Sequence, residues 1–109
     1  MALSEHERQA LSRFKSMLRE ALSDEEPEAR LFGSKARGDD GADSDLDVLV
    51  TVSGDDWHIC DKVYDITTDL LLETGICISA KTVSRNKFEE MCRGGSSFAN
   101  NVVRDGVPI

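Results

Sequence analysis

Apolar residues recur along this chain at two different spacings, and the alternation between the spacings predicts the order of the elements. Residues 4–23 are predicted to form an amphipathic helix, which Pro27 closes off. Short apolar segments over 28–32 and 46–53 predict two strands. The helical spacing of the first segment is carried by Leu11, Phe14, Leu18 and Leu22.

The second half of the chain continues this alternation. A second helix is predicted from about residue 55 to 74, where Gly75 is placed to end it. A third strand is predicted over 76–83, after which Ser84 can cap a short helix. A final helical turn or two is expected over 96–104. The second helix shows its apolar spacing in Ile59, Val63, Ile66 and Leu70.

This order predicts an α/β (α+β) fold in which a small mixed sheet of about three to four strands is flanked by helices. At 109 residues and 39% hydrophobic composition, the chain is predicted to be a single domain spanning 1–109. Trp57 and Tyr64 could stack on a nucleotide base, but we expect them to pack the second helix against the sheet.

Charge and cysteine content narrow the classes of function. A formal charge of −8 argues against a general nucleic-acid binder, because affinity for a polyanion comes largely from Lys and Arg. Cys60, Cys77 and Cys92 are too widely separated for a CxxC motif and suit a reducing compartment as idle thiols. No apolar stretch approaches the length of a membrane span, so we expect a cytoplasmic protein without a membrane partner.

Two carboxylates lie at the start of the second predicted strand. Asp45 and Asp47 are two residues apart, so in a strand their side chains project from the same face. Mg²⁺ prefers one or two protein carboxylates completed by phosphate oxygens and water. The pair is therefore predicted to hold Mg²⁺, or Mn²⁺, carried by a nucleoside triphosphate.

A candidate phosphate cradle precedes the acid pair. Gly33 would let the backbone approach a phosphate closely, and the Ser34 hydroxyl can donate to a terminal phosphate oxygen. The residues through Gly38 can form a helical turn with free N–H groups. Arg37 adds a planar, permanently charged set of donors.

The acidic segment allows other interpretations. The aspartates between 39 and 47 could form only a solvated acidic loop, which is the commonest fate of a run of charges. An EF-hand fails, because Val48 occupies the position of the required glycine and Gly54 that of the closing glutamate. A P-loop is also excluded, because its longer glycine-rich spacing is absent.

The composite motif resembles the signature of DNA polymerase β-like nucleotidyltransferases. It consists of GS at 33–34, RG at 37–38 and SDLDVLV at 44–50, and the chain looks like the minimal, single-domain members of that superfamily. The resemblance extends along most of the chain and implies the palm fold of the superfamily. It also implies a metal on Asp45 and Asp47, and nucleotide phosphates on Gly33, Ser34, Arg37 and Ser44.

The third predicted strand departs from the family pattern. Fully active members usually present a further acid there, which joins the metal site and can accept the proton of the attacking hydroxyl. Matching GICISAKTVS to that strand places Cys77 at the position of the acid, and no Asp or Glu occurs between Gly75 and Arg85. A thiolate is a poor ligand for Mg²⁺. Either another group acts as the base, or the reaction is slow, or catalysis is lost.

The resemblance also implies a partner. Free-standing proteins similar to this one are often encoded beside a HEPN-type RNA-cutting toxin and serve as its antitoxin, by transferring AMP from ATP to a partner tyrosine or by occluding the partner. The leading hypothesis is a Mg²⁺-dependent adenylyltransferase of this kind. A binding module that has lost turnover is the second hypothesis. Modification of a small molecule is less favoured, because enzymes of that type add an acceptor domain, although a homodimer could replace it.

Overall fold

The computed structural model describes residues 3–33, 45–54 and 56–109. Helix α1 spans Glu5–Ala21, strand β1 Glu28–Phe32 and strand β2 Leu46–Val52. The remaining elements are helix α2 (Trp57–Thr74), strand β3 (Ile78–Ser84), helix α3 (Arg85–Arg93), helix α4 (Ser97–Asp105) and strand β4 (Val107–Pro108), with a short 3₁₀ turn at Ser23–Glu25.

The four strands form one mixed sheet in the order β3-β2-β1-β4. β2 pairs antiparallel with β1 and parallel with β3, so that Asp47 lies between Phe32 on one side and Ser79 on the other. The predicted mixed α/β fold with about three to four strands is confirmed. The central position of β2 explains its near-continuous apolar sequence, because both of its edges are paired and most of its side chains are buried.

Helices α1 and α2 cover one face of the sheet and form the main core with it. Phe14 of α1, Leu31 of β1 and Leu70 of α2 are all fully buried in this cluster. Burying one such side chain stabilises the fold by about 1.5–3 kcal/mol relative to leaving it exposed. The opposite face carries Asp47, Leu49 and Thr51, and the shorter helices α3 and α4 pack over part of it.

Local signals set most of the helix ends. Ser4 begins α1 with a capping box, in which its hydroxyl accepts from the Glu7 amide while the Glu7 carboxylate accepts from the Ser4 amide. Gly75 ends α2 in the left-handed conformation at φ 76°, as predicted. Ser84 begins α3 by accepting from the Lys87 amide at 3.2 Å, which confirms the predicted cap.

Two expectations need correction. Trp57 and Tyr64 do not pack α2 against the sheet, because their side chains are 66% and 70% exposed. They lie outside the narrow stripe that Ile59, Val63 and Leu70 bury at helical spacing. The third strand begins at Ile78 rather than at 76.

Candidate active site

The acid pair lies at the beginning of the central strand. Asp45 directly precedes β2 and Asp47 is its second residue, so alternation along the strand places both side chains on the face opposite the α1/α2 core. Asp45 is exposed and Asp47 is half-buried. Gly33, the last described residue after β1, lies at the same end of the sheet. Two carboxylates are thus presented at one open end of the sheet.

Gly33 lies directly against the Asp47 carboxylate. Its backbone is left-handed at φ 78°, and a Cβ built at this position would lie 2.5 Å from Asp47 Oδ2. A side chain at position 33 would therefore collide with the carboxylate. The sequence predicts that this glycine lets the backbone approach a phosphate, and the described structure adds a second role, which is to make room for Asp47.

The electrostatics of the pair favour a bound cation. Partial burial raises the pKa of Asp47 above its usual value, and the negative charge of Asp45 raises it further. The ammonium group of Lys81 acts in the opposite direction and lowers the pKa of Asp47. Because the charge of Asp45 disfavours the ionised form of Asp47, a divalent cation bound at this site would relieve the repulsion.

The residues present fit a magnesium ion by the chemistry of their donors. Asp45 and Asp47 offer two carboxylates, which is the number that Mg²⁺ takes from protein when phosphates and water complete its shell. Within residues 3–33, 45–54 and 56–109, no three His, Cys, Asp or Glu side chains cluster so as to hold a metal by themselves. The other ligands would then come from a nucleotide and from solvent.

Cys77 borders the acid pair from the neighbouring strand. The Leu46 amide donates to the Cys77 carbonyl at 3.1 Å, which places the exposed Cys77 thiol beside Asp45. Burial raises the pKa of the Cys77 thiol, and the charge of Asp45 and a hydrogen bond to its carboxylate raise it further. The thiol is therefore protonated at neutral pH and donates to Asp45 instead of contributing another negative charge.

Lys81 is a further residue of the site, which no sequence motif marked. It lies opposite Leu49 in the parallel register, one row further along the same face than Asp47. Its Nζ is 5.0 Å from the centroid of the Phe98 ring, and Phe98 packs edge-on against Phe32 with the ring centroids 5.4 Å apart. The aromatic contact was not detectable from the sequence, because Phe98 lies on α4 and is distant in the chain.

The remaining predicted phosphate ligands fall outside the described part of the chain. Ser34, Arg37 and Ser44 belong to the segment 34–44, so their assignment stays a prediction. Gly33, Asp45 and Asp47 are the site residues that the structure describes, and it brings all three to the same end of the sheet.

A mixed α/β domain with an acid pair at the start of its central strand is typical of proteins that transfer nucleotidyl groups. The family model of the nucleotidyltransferase domain matches residues 11–100. The chain belongs to this family, as a minimal nucleotidyltransferase of the DNA polymerase β-like superfamily.

A curated relative supports this membership over nearly the full length of both chains. A protein of Methanocaldococcus jannaschii is 34% identical over 101 residues, which cover 93% of this chain and 95% of the relative. Its assigned name, protein adenylyltransferase, is itself an inferred activity. In the described part of the present chain, no helix is long and apolar enough to cross a membrane.

Proposed function

We propose that this protein is a Mg²⁺-dependent adenylyltransferase that transfers AMP from ATP to a partner protein, and that it serves as the antitoxin of a HEPN-type partner. The main observation behind the proposed nucleotide chemistry is the Asp45–Asp47 pair. A cation bound beside Gly33 would relieve the repulsion between these two carboxylates. The name of the M. jannaschii relative supports a protein as the acceptor.

Each described residue has a part in this proposal. Asp45 and Asp47 would hold Mg²⁺, or Mn²⁺, which when bound neutralises charge on the triphosphate. Gly33 leaves room for the Asp47 carboxylate, and Lys81 adds a positive charge on the same face. Ser34, Arg37 and Ser44 are proposed as phosphate ligands on the strength of the motif alone.

The reaction is a displacement at the α-phosphorus. The oxygen of a partner tyrosine hydroxyl bonds to that phosphorus, the bond to the β-phosphate oxygen breaks, and pyrophosphate leaves while the hydroxyl gives up its proton. Such a step is accelerated mainly by positioning of the reactants and by neutralisation of charge. The Cys77 thiol does not serve as the base, because its raised pKa keeps it protonated.

The net negative charge of the protein supports a partner with a basic surface. A protein with a net charge of −8 is steered electrostatically toward a basic surface, such as one that binds RNA. The three cysteines are free thiols, which is consistent with a reducing cytoplasm as the place of action. An association rate with the partner that is insensitive to salt would contradict this part of the proposal.

Label transfer tests the activity directly. With ATP labelled at the α-phosphate, the HEPN-type partner should become labelled in the presence of Mg²⁺ or Mn²⁺, whereas label at the γ-phosphate should leave with pyrophosphate. The double variant Asp45→Asn, Asp47→Asn should abolish transfer. If no divalent ion supports transfer, and this variant still neutralises the partner, the enzymatic proposal is wrong.

A second candidate function rests on Cys77. If the family's third acid has been replaced by this thiol, the protein could neutralise its partner by binding alone. The variant Cys77→Asp separates the two cases. A gain of transfer over an inactive parent indicates a decayed active site, whereas an unchanged rate in an active parent shows that position 77 does not limit catalysis.

A further inference from the structure

The two edges of the sheet differ sharply in how well they are protected. β4 ends the sheet with two residues, one of which is Pro108, and proline blocks strand addition. β3 ends the other side with the seven residues Ile78–Ser84, which include no proline and pair on one side with β2. Among the described residues, none pairs with the outer side of β3.

Alternation identifies the groups that this open edge presents. The Cys77 carbonyl accepts from Leu46 of β2, so the odd-numbered residues of β3 direct their backbone groups inward to β2. Ile78, Ala80 and Thr82 therefore direct their N–H and C=O groups outward. These residues line a groove of about 490 Å³ whose other wall is α2.

The wall contributed by α2 carries a single charged residue, Asp61, beside an uncharged stripe. The α2 stripe consists of Trp57, Cys60, Tyr64, Thr67 and Leu71, which share one side of the helix at 3.6 residues per turn. In contrast, the charged residues of α2 lie on the remaining exposed side. They are Asp61, Lys62, Asp65, Asp69 and Glu73, and Asp61 alone among them borders the groove.

We propose that the β3 edge and the α2 stripe form the interface of a homodimer. Two copies that each carry a charge of −8 repel one another, so self-association needs a contact surface from which charge is absent. The α2 stripe meets that need in a chain of which 31% is charged. A basic partner, in contrast, would gain more from the acidic side of the same helix.

The edge is also complementary to itself. In an antiparallel pair centred on Ala80, the two Ala80 residues exchange both of their backbone hydrogen bonds, and Ile78 of each copy pairs with Thr82 of the other. The two-fold axis then stands perpendicular to the sheet, which brings the two α2 stripes together on one face. Both acid pairs remain on the opposite face.

The two exposed aromatic side chains supply part of the area that a stable contact needs. Trp57 and Tyr64 are 66% and 70% exposed, so these two side chains offer roughly 200–350 Å² per copy, given about 150–250 Å² for a whole aromatic side chain. The strand edges and the rest of the α2 stripe add to this. A standard interface buries about 1,200–2,000 Å² in total over both partners.

Sedimentation equilibrium tests the dimer with a matched pair of variants. The wild type should sediment at about twice its chain mass of 12.0 kDa. Tyr64→Glu should sediment as a monomer, because it places a charge in the α2 stripe. Leu72→Glu should remain dimeric, although Leu72 is 81% exposed, because it lies on the charged side of the helix. Circular dichroism should show that both variants are folded.

Cross-linking tests the register independently. In a background with Cys60, Cys77 and Cys92 changed to serine, Ala80→Cys should form an intermolecular disulfide on mild oxidation, because paired Cα atoms lie about 5.5 Å apart. Ser79→Cys should not, because its side chain lies on the other face. The proposal would be overturned if the wild type stays monomeric at high concentration. It would also be overturned if Tyr64→Glu and Leu72→Glu dissociate equally, or if Ala80→Cys and Ser79→Cys cross-link equally.

Discussion

Gly33 approaches Asp47 so closely that a Cβ at position 33 would lie 2.5 Å from Asp47 Oδ2. This contact joins the end of β1 to the second residue of β2 and fixes where the carboxylate can lie. A side chain at position 33 would therefore have to displace the Asp47 carboxylate, which couples the residue after β1 to the acid pair.

Gly33→Ala should reduce both stability and nucleotide affinity. A left-handed φ costs a side-chain-bearing residue about 1–2 kcal/mol, and the new methyl group must also displace the Asp47 carboxylate. Gly75→Ala is a matched control, because Gly75 has φ 76° but a Cβ there would contact nothing within 4 Å. Urea unfolding and Mg²⁺-ATP titration should show a larger effect on both quantities at position 33. Equal losses of stability with unchanged nucleotide affinity would contradict the coupling.

The sequence predicted the elements well wherever one local pattern decided them. The apolar spacing of α1 and α2 and the caps at Ser84 and Gly75 depend on nearby residues alone, and all were found where expected. β1 was predicted with its observed bounds, Glu28–Phe32. Such features need no knowledge of the tertiary structure.

The features that the sequence did not yield depend on contacts across the fold. β4 is two residues long and exists only because β1 offers it an edge, so no local pattern marks it. The exposure of Trp57 and Tyr64 was missed because aromatic residues usually lie inside. Lys81 lies on the same face as Asp47, but its proximity to Phe98 depends on how α4 packs.

The Cys77–Asp45 contact predicts slow alkylation of an exposed thiol. In a variant with Cys60 and Cys92 changed to serine, iodoacetamide should react slowly at pH about 8.5, because the thiolate is the reactive form and the pKa of Cys77 is raised. Asp45→Asn removes the charge that contributes to this shift and should accelerate alkylation. An unchanged rate would show that the two side chains do not interact in solution.

The cap of α2 predicts a pH-dependent contribution to stability. The pKa of Asp56 is lowered mainly because its carboxylate accepts the His58 amide at 3.0 Å, with a further hydrogen bond from the His58 side chain. A carboxyl group whose pKa is lower in the folded chain stabilises the fold above its unfolded pKa, near 3.8, and loses that contribution as the pH falls through the lowered value.

Urea unfolding from about pH 5 to about pH 2.5 measures this effect. Asp56→Asn keeps an oxygen that can accept the amide hydrogen bond, but it does not titrate. The free energy of unfolding of the wild type should therefore fall more steeply with acidification than that of the variant. Parallel curves would mean that the Asp56 carboxylate is not engaged in the cap.

The central claim is that Asp45 and Asp47 together hold a metal-bound nucleotide, and calorimetric titration with ATP in Mg²⁺ tests it most directly. The control is Asp61→Asn, Asp65→Asn, which removes two exposed carboxylates of α2 and changes the net charge equally. We expect saturable one-site heat for the wild type and the control, and none for Asp45→Asn, Asp47→Asn. No saturable heat for the wild type, or undiminished binding by the Asp45/Asp47 double variant, would contradict the account.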